Sequence, residues 1–201
     1  SDWVWMIDPL DGTKDFIQGT GEYAIHIGLL YKKIPIFGVV LVPESEELWF
    51  GGIGLGTWCE DRNVEKTTFS FSNRKRINDL VLISSRNHRD NKFERLFDNF
   101  SLGGKKTKGS VGCKIVTILK GEADFYVSIS GKTSPKDWDM AAPNALLVSA
   151  GGCFTNVNCK ELNYQTKDFS QSGCLIASNG CNHKNLCSAI KQRMIDLDLD
   201  L

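Results

Sequence analysis

"MIDPLDGTKDF", residues 6–16, sets two carboxylates, Asp8 and Asp11, three positions apart around a proline and directly ahead of a Gly-Thr pair. The "VWMI" before them is apolar and β-prone, while Pro9 and Gly12 interrupt regular pairing, so the aspartates belong where a strand breaks into a loop. Strand ends of this kind commonly carry function. Two acids held so close repel unless a proton or a cation lies between them, which makes a divalent metal the first candidate.

Working outward, "EYAIHIGLLYKKIPIFGVVLVPESEELWFGG" (22–52) reads as three antiparallel strands broken at "YKKIP" and "PESEE". "GGIGLGTW" (51–58) resembles a dinucleotide loop, but no helical pattern follows it and it reads as a glycine-rich hairpin turn. The polar, basic "SNRKRIND" (72–79) reads as a solvated linker and places a domain boundary near residue 77. Residues 1–77 then form an antiparallel-sheet domain with the metal loop, and 78–201 an α/β domain. In the second part, "LVLISS", "ADFYVS", "CFTNVN" and "GCLIAS" read as strands. "NKFERLFDNF", "VGCKIVTILKG", "WDMAAPNALLVSAGG" and "NLCSAIKQRMID" read as helices, and "DLDLDL" (196–201) as a frayed acidic tail. The fold class is layered α/β, an antiparallel sheet followed by a mixed sheet.

With 201 residues, 41% of them hydrophobic, the chain can bury a substantial core. Twenty-four Lys and Arg balance 24 Asp and Glu, so no overall field recruits nucleic acid or an anionic membrane surface. No run approaches the ~18 apolar residues of a membrane span, and no signal-peptide layout opens the chain, which reads as cytoplasmic. Seven cysteines without a C-x-x-C suggest neither a disulfide framework nor a zinc ribbon, and read as reduced structural thiols. His26 reads as a structural histidine in an apolar strand, and His183 as a cap or surface residue. Trp3, Trp5, Trp49 and Trp58 read as core or hairpin packing, and Trp138 as a wedge at the helix start.

A second acidic feature, "KDWDMAAP" (136–143), puts Asp137 and Asp139 ahead of an Ala-rich helical run. Alone, that is the chemistry of a helix N-terminus, where a carboxylate meets free N–H groups. Beside the first loop, Asp139 becomes a third carboxylate for the same cleft. Carboxylates without neighbouring His or Cys favour Mg²⁺ over zinc or iron, and Mg²⁺ chemistry is mostly phosphate chemistry. Gly12 lets the backbone approach a ligand, and the Thr13 hydroxyl can orient an attacking water. An EF-hand is excluded because Gly19 stands where the closing glutamate is required. A D-x-D-G-T aspartyl nucleophile is excluded because Pro9 and Leu10 both separate the acids.

"WMIDPLDGTKDF" followed by "WDMAAP" and "AGG" closely resembles the inositol monophosphatase superfamily of Mg²⁺-dependent, lithium-sensitive phosphatases. The likeness covers nearly the whole chain, including "GVVLVPESEELWFG" and "GEADFYV". Lys14, "SRNH" (85–88) and "GSVGCKI" (109–115) look most like the 3'(2'),5'-bisphosphate nucleotidases, which remove a phosphate from adenosine 3',5'-bisphosphate. The resemblance implies that Asp8, the Leu10 carbonyl, Asp11 and Asp139 hold two or three Mg²⁺ ions. It implies that Gly12 and Thr13 hold the scissile phosphate, with Asp11 and Asp139 also at the substrate. Ser110 and Lys114 are either nucleotide contacts or a helix N-cap and a surface lysine. A homodimer and a small phosphate-ester substrate follow from the same likeness. Two departures stand out: Ser128 occupies a place where many such nucleotidases have arginine, and the family's upstream Gly-Glu-Glu ligand region has no counterpart here. The chain thus reads as a C-terminal part of the family fold, with weak Mg²⁺ binding and little activity alone.

Overall fold

In the computed structural model of this chain, residues 1–63, 66–67, 69–87, 91–130 and 134–199 are described. His88 and the last two residues of the acidic tail lie outside them.

The opening stretch forms β1 (Trp3–Asp11), which pairs antiparallel with β2 (Ala24–Tyr31). Side chains of a strand alternate between faces, so Val4, Met6 and Asp8 turn inward while Trp3, Trp5 and Ile7 turn outward. Trp3 and Trp5 are accordingly exposed, at 55% and 58%, and are not core as their sequence context suggested; Trp3 instead lies against Tyr31. Trp49 is core and Trp58 packs on Phe50 in the hairpin. Asp8 pairs with His26 and Asp11 with Ala24, so three steps along β1 answer two along β2. That extra residue is a bulge, and without it Asp11, an odd-numbered position, would point to the outer face. The bulge puts both carboxylates on one side of the sheet.

The meander continues through β3 (Ile34–Val42), β4 (Glu47–Gly52), β5 (Gly56–Glu60) and β6 (Lys66–Thr67), a six-stranded antiparallel sheet in chain order. The glycine-rich stretch is the β4–β5 hairpin turn, with Gly54 and Gly56 at positive φ. A second sheet has the order β10-β11-β9-β7-β8, from β7 (Val81–Ser85), β8 (Gly104–Lys108), β9 (Phe125–Ile129), β10 (Cys153–Asn156) and β11 (Cys174–Ser178). It is mixed: β7 runs parallel to β8 and β9, and β11 antiparallel to β9 and β10. The expected fold class is therefore the one found.

Helices α3 (Val111–Leu119) and α4 (Asp137–Ser149) lie between the sheets, and α2 (Asn91–Phe97) and α5 (His183–Asp196) pack on the far side of the second. One core joins Met6, Leu30, Trp49, Ile115, Met140 and Leu175, drawing on residues before and after the linker. The other joins Leu82, Phe97, Phe125, Ile176, Leu186 and Met194. Leu199 is buried in this second core, so the tail is not frayed up to that residue: its leucines follow α5 and one finds apolar cover. A side-chain Cβ on Gly28 would come within 2.9 Å of Ala141 Cβ, which is why α4 can lie so close on β2.

The basic linker is not simply solvated. Arg74 Nε donates to Asp124 Oδ2 at 2.6 Å and Arg74 Nη2 to the Gly121 carbonyl at 2.8 Å. Asp124, fully buried, also accepts from Ser72 Oγ, from the Val81 N–H at 2.7 Å and from Asn179 Nδ2 at 3.1 Å. A buried acid demands a cation and several donors; the linker supplies the cation, Arg74, and one donor, Ser72, while β7 and the end of β11 supply the others.

Candidate active site

Several chain segments converge on one cavity of about 630 Å³, lined among others by Asp8, Asp11, Thr13, Lys14, Lys114 and Asp139. Carboxylate oxygens of Asp8, Asp11 and Asp139 lie within 4.8 Å of one another. Each is held by backbone N–H groups. Asp8 Oδ1 accepts from Leu10 N–H at 3.0 Å, and Asp11 Oδ2 from Val111 N–H at 2.6 Å and Gly112 N–H at 3.3 Å, at the start of α3. Asp139 Oδ2 accepts from Lys136 N–H at 2.7 Å. Asp139 therefore performs both roles considered for it: it closes the first turn of α4 and faces the other two acids.

Burial, and the neighbouring Asp11 and Asp8 carboxylates, push Asp139 up to about 7. Such mutual repulsion, with three hard oxygen donors at one point, is the donor set that a hard divalent cation fits. The Leu10 carbonyl accepts from Thr13 Oγ1 at 3.1 Å, and Gly12, at φ 88°, makes the left-handed turn that brings Thr13 to the cavity. Trp138, 36% exposed, lines the cavity and faces Phe169 rather than wedging into the helix.

Asp137 belongs elsewhere. It is fully buried and accepts from Gln165 N–H and Gln171 Nε2, both at 2.6 Å, holding the 163–171 loop against α4. Ser110 is the N-cap of α3, accepting from Cys113 N–H at 2.9 Å, and its side chain is buried outside the cavity lining. Lys114 is not a surface lysine. It is 1% exposed, its ammonium donates to the Gly109 carbonyl and sits 5.2 Å from the Tyr126 ring centroid, and it lines the cavity. Burial lowers its pKa, against an opposing pull from Asp11. Ser128 also lines the cavity.

Sequence reasoning missed the support behind the metal loop. Asp15, 4% exposed, accepts from Asn87 Nδ2 at 3.1 Å, and Glu22 accepts from Arg86 at 2.7 and 3.1 Å and from Gly109 N–H at 2.9 Å. These contacts tie α1 (Thr13–Ile17) to the ends of β7 and β8. Asp15, directly after the loop of the two singled-out acids, was the available signal; its partner Asn87 is 72 residues away and left none. His183 is also neither cap nor surface: it is 6% exposed, with Nδ1 2.8 Å from Ser178 Oγ.

An antiparallel sheet and a mixed sheet enclose paired helices, and Asp8 and Asp11 at the bulged end of β1 meet Asp139 from the first turn of α4. The sequence profile of the inositol monophosphatase family matches residues 1–194, and the chain belongs to that family. It is 32% identical over 166 residues to the 3'(2'),5'-bisphosphate nucleotidase CysQ of Salmonella typhimurium, covering 82% of this chain and 63% of that protein. It is 28% identical over 189 residues to the inositol-1-monophosphatase of a Synechocystis species, covering 94% of this chain and 62% of that one. The solved structure of the inositol monophosphatase from Anabaena superposes with a TM-score of 0.74 at 27% identity, covering 96% of this chain and 73% of that one. The chain thus spans less than two thirds of the length of these two curated relatives.

Proposed function

We propose that the chain carries the reaction centre of a Mg²⁺-dependent phosphomonoesterase acting on a small phosphate ester, with adenosine 3',5'-bisphosphate as preferred substrate. The observation that carries the reading is the convergence of Asp8, Asp11 and Asp139 within 4.8 Å at a cavity large enough for a nucleotide. Asp8, Asp11, Asp139 and the Leu10 carbonyl would hold the ions. When bound, Mg²⁺ supplies a water of lowered pKa and neutralises charge at the leaving oxygen.

The chain's own residues do the rest. Thr13 Oγ1, which donates its proton to the Leu10 carbonyl, keeps lone pairs free to accept from a water and aim it at phosphorus. The turn at Gly12 lets phosphate oxygens approach the backbone. Lys114 and Lys14, both at the cavity, balance the charge of a second phosphate. Lys14 and the likeness to CysQ support the nucleotide; Ser128 and the comparable likeness to the Synechocystis enzyme support inositol phosphate as the second reading. On the nucleotide reading the protein clears a by-product of sulfate activation in the cytoplasm, is inhibited by lithium and works as a homodimer.

The test is phosphate release from adenosine 3',5'-bisphosphate, inositol 1-phosphate and fructose 1,6-bisphosphate, with and without Mg²⁺, by the natural protein that contains this chain. A preference for the first supports the nucleotide reading. A preference for either other ester keeps the metal site and replaces the substrate. Release that ignores Mg²⁺ overturns both.

A further inference from the structure

We propose a second metal site, for Zn²⁺, formed by Cys159, His183 and Cys187. No residue of it lines the phosphatase cavity, and it is independent of that reading. The thiol sulfurs of Cys159 and Cys187 and a ring nitrogen of His183 lie within 4.8 Å of one another. His183 opens α5 and Cys187 follows one turn later, so the two share a helix face. Cys159 reaches them from the turn after β10, where its own N–H donates to the Asn156 carbonyl at 2.9 Å.

Two details match a zinc centre. His183 Nε2 is 3.4 Å from Cys187 Sγ, and tetrahedral bonds of about 2.0 Å to nitrogen and 2.3 Å to sulfur place such a pair about 3.5 Å apart. The other ring nitrogen, Nδ1, is 2.8 Å from Ser178 Oγ, which also accepts from Gly180 N–H at 3.1 Å. A ligating histidine is normally fixed by such a bond on its second nitrogen, and a proton on Nδ1 would leave Nε2, 3.4 Å from Cys187 Sγ, able to bind an ion. Thr155 Oγ1 lies 2.8 Å from Nε2, and it has an alternative acceptor in the Asn156 carbonyl, also at 2.8 Å. The hydroxyl can therefore yield Nε2 to an ion without being left unpaired.

Two thiolates and one imidazole suit zinc far better than the oxygen-seeking Mg²⁺ of the carboxylate site. Cys159 is exposed while Cys187 and His183 are buried, so one side is open for entry and for a fourth, solvent ligand. Absence of a C-x-x-C hid the site: its ligands come from a turn and a helix twenty-four or more residues apart.

The experiment is titration of the reduced chain with Co²⁺, followed by Zn²⁺ competition. One equivalent of Co²⁺ is expected to give intense sulfur-to-cobalt charge-transfer absorption and tetrahedral visible bands, which Zn²⁺ bleaches. Cys159→Ser and Cys187→Ser should each remove the charge-transfer intensity by half or more, while Asp139→Asn keeps it. Folded wild-type chain without these bands, or bands that survive both cysteine changes together, would overturn the proposal. Zn²⁺ should also raise the melting temperature of the wild type and not of the double cysteine variant.

Discussion

His26 Nε2 lies 3.4 Å from Asp11 Oδ2, and neither nitrogen of this fully buried ring has a hydrogen-bond partner among the described residues. The contact lacks the alignment of a formed hydrogen bond. An unsatisfied buried polar group costs about 1–3 kcal/mol, and the ring lies between Asp11 and Gly112 at the start of α3, against the carboxylate that the α3 N–H groups hold. His26→Leu should leave the melting temperature unchanged or higher and weaken stabilisation by Mg²⁺ plus phosphate severalfold. Melting curves across a Mg²⁺ titration check this; lower stability with unaltered Mg²⁺ dependence would assign the ring to packing alone.

Asp139 should cost the metal-free chain stability at neutral pH. Burial, with Asp11 and Asp8 nearby, raises its carboxyl from 3.8 to about 7 on folding. A raised acid contributes stability that is present below the unfolded value and is lost as pH rises through the folded one. Metal-free stability should therefore fall between pH 4 and pH 7 from this group. Asp139→Asn removes the buried charge and should raise metal-free stability at pH 8 by on the order of 2 kcal/mol. The same change should abolish Mg²⁺-dependent phosphate release, as should Asp11→Asn. Melts from pH 5 to 8, with and without Mg²⁺, read both effects; normal turnover in either variant removes that residue from the site.

Much of this was legible in the sequence, and the rest fails for identifiable reasons. Asp8 and Asp11 stand out because paired acids around Pro and Gly suit a metal or a phosphate, Asp139 stands out only beside that loop, and the fold brings the three carboxylates together. The bulge that turns Asp11 inward could not, because pairing register depends on β2 as well as β1. Strand β8, "GKKTK", has almost no apolar residues and is a strand only through its parallel pairing with β7. Lys114 was read as surface or ligand by residue type, whereas its burial is set by Tyr126 and the start of α3. His183 and Cys187 are separated on paper from Cys159 by a strand and a loop. Only the fold makes them neighbours.

Asp124 should be the most sensitive polar residue outside the site. It is fully buried and joins Arg74, Ser72, Val81 N–H and Asn179, tying the linker to β7 and to the end of β11. Asp124→Ala strands a backbone donor and a partly buried guanidinium, a loss of about 3–5 kcal/mol. Arg74→Ala should cost less, since Asp124 keeps three other donors. Urea unfolding of the two variants checks the order; equal losses would mean that the ion pair alone holds the linker.

Lys114 should separate binding from chemistry. Its ammonium is buried at the cavity, donating to the Gly109 carbonyl and facing Tyr126, and burial lowers its pKa. A depressed group contributes stability that is present above the unfolded value and lost as pH falls toward the folded one, so burying this amine works against the fold below the ordinary lysine range. Lys114→Met, of similar shape, should therefore leave melting temperature equal or higher. If the charge meets a second phosphate of the substrate, KM for adenosine 3',5'-bisphosphate should rise roughly tenfold or more, the value of one charge-assisted hydrogen bond. The kcat should change little, because the contact is made alike in ground and transition states. Inositol 1-phosphate, with no second phosphate, should show no such rise. Steady-state phosphate release on both esters by the natural protein reads the split, and a fall in kcat on both would move Lys114 from substrate binding to the support of Asp11.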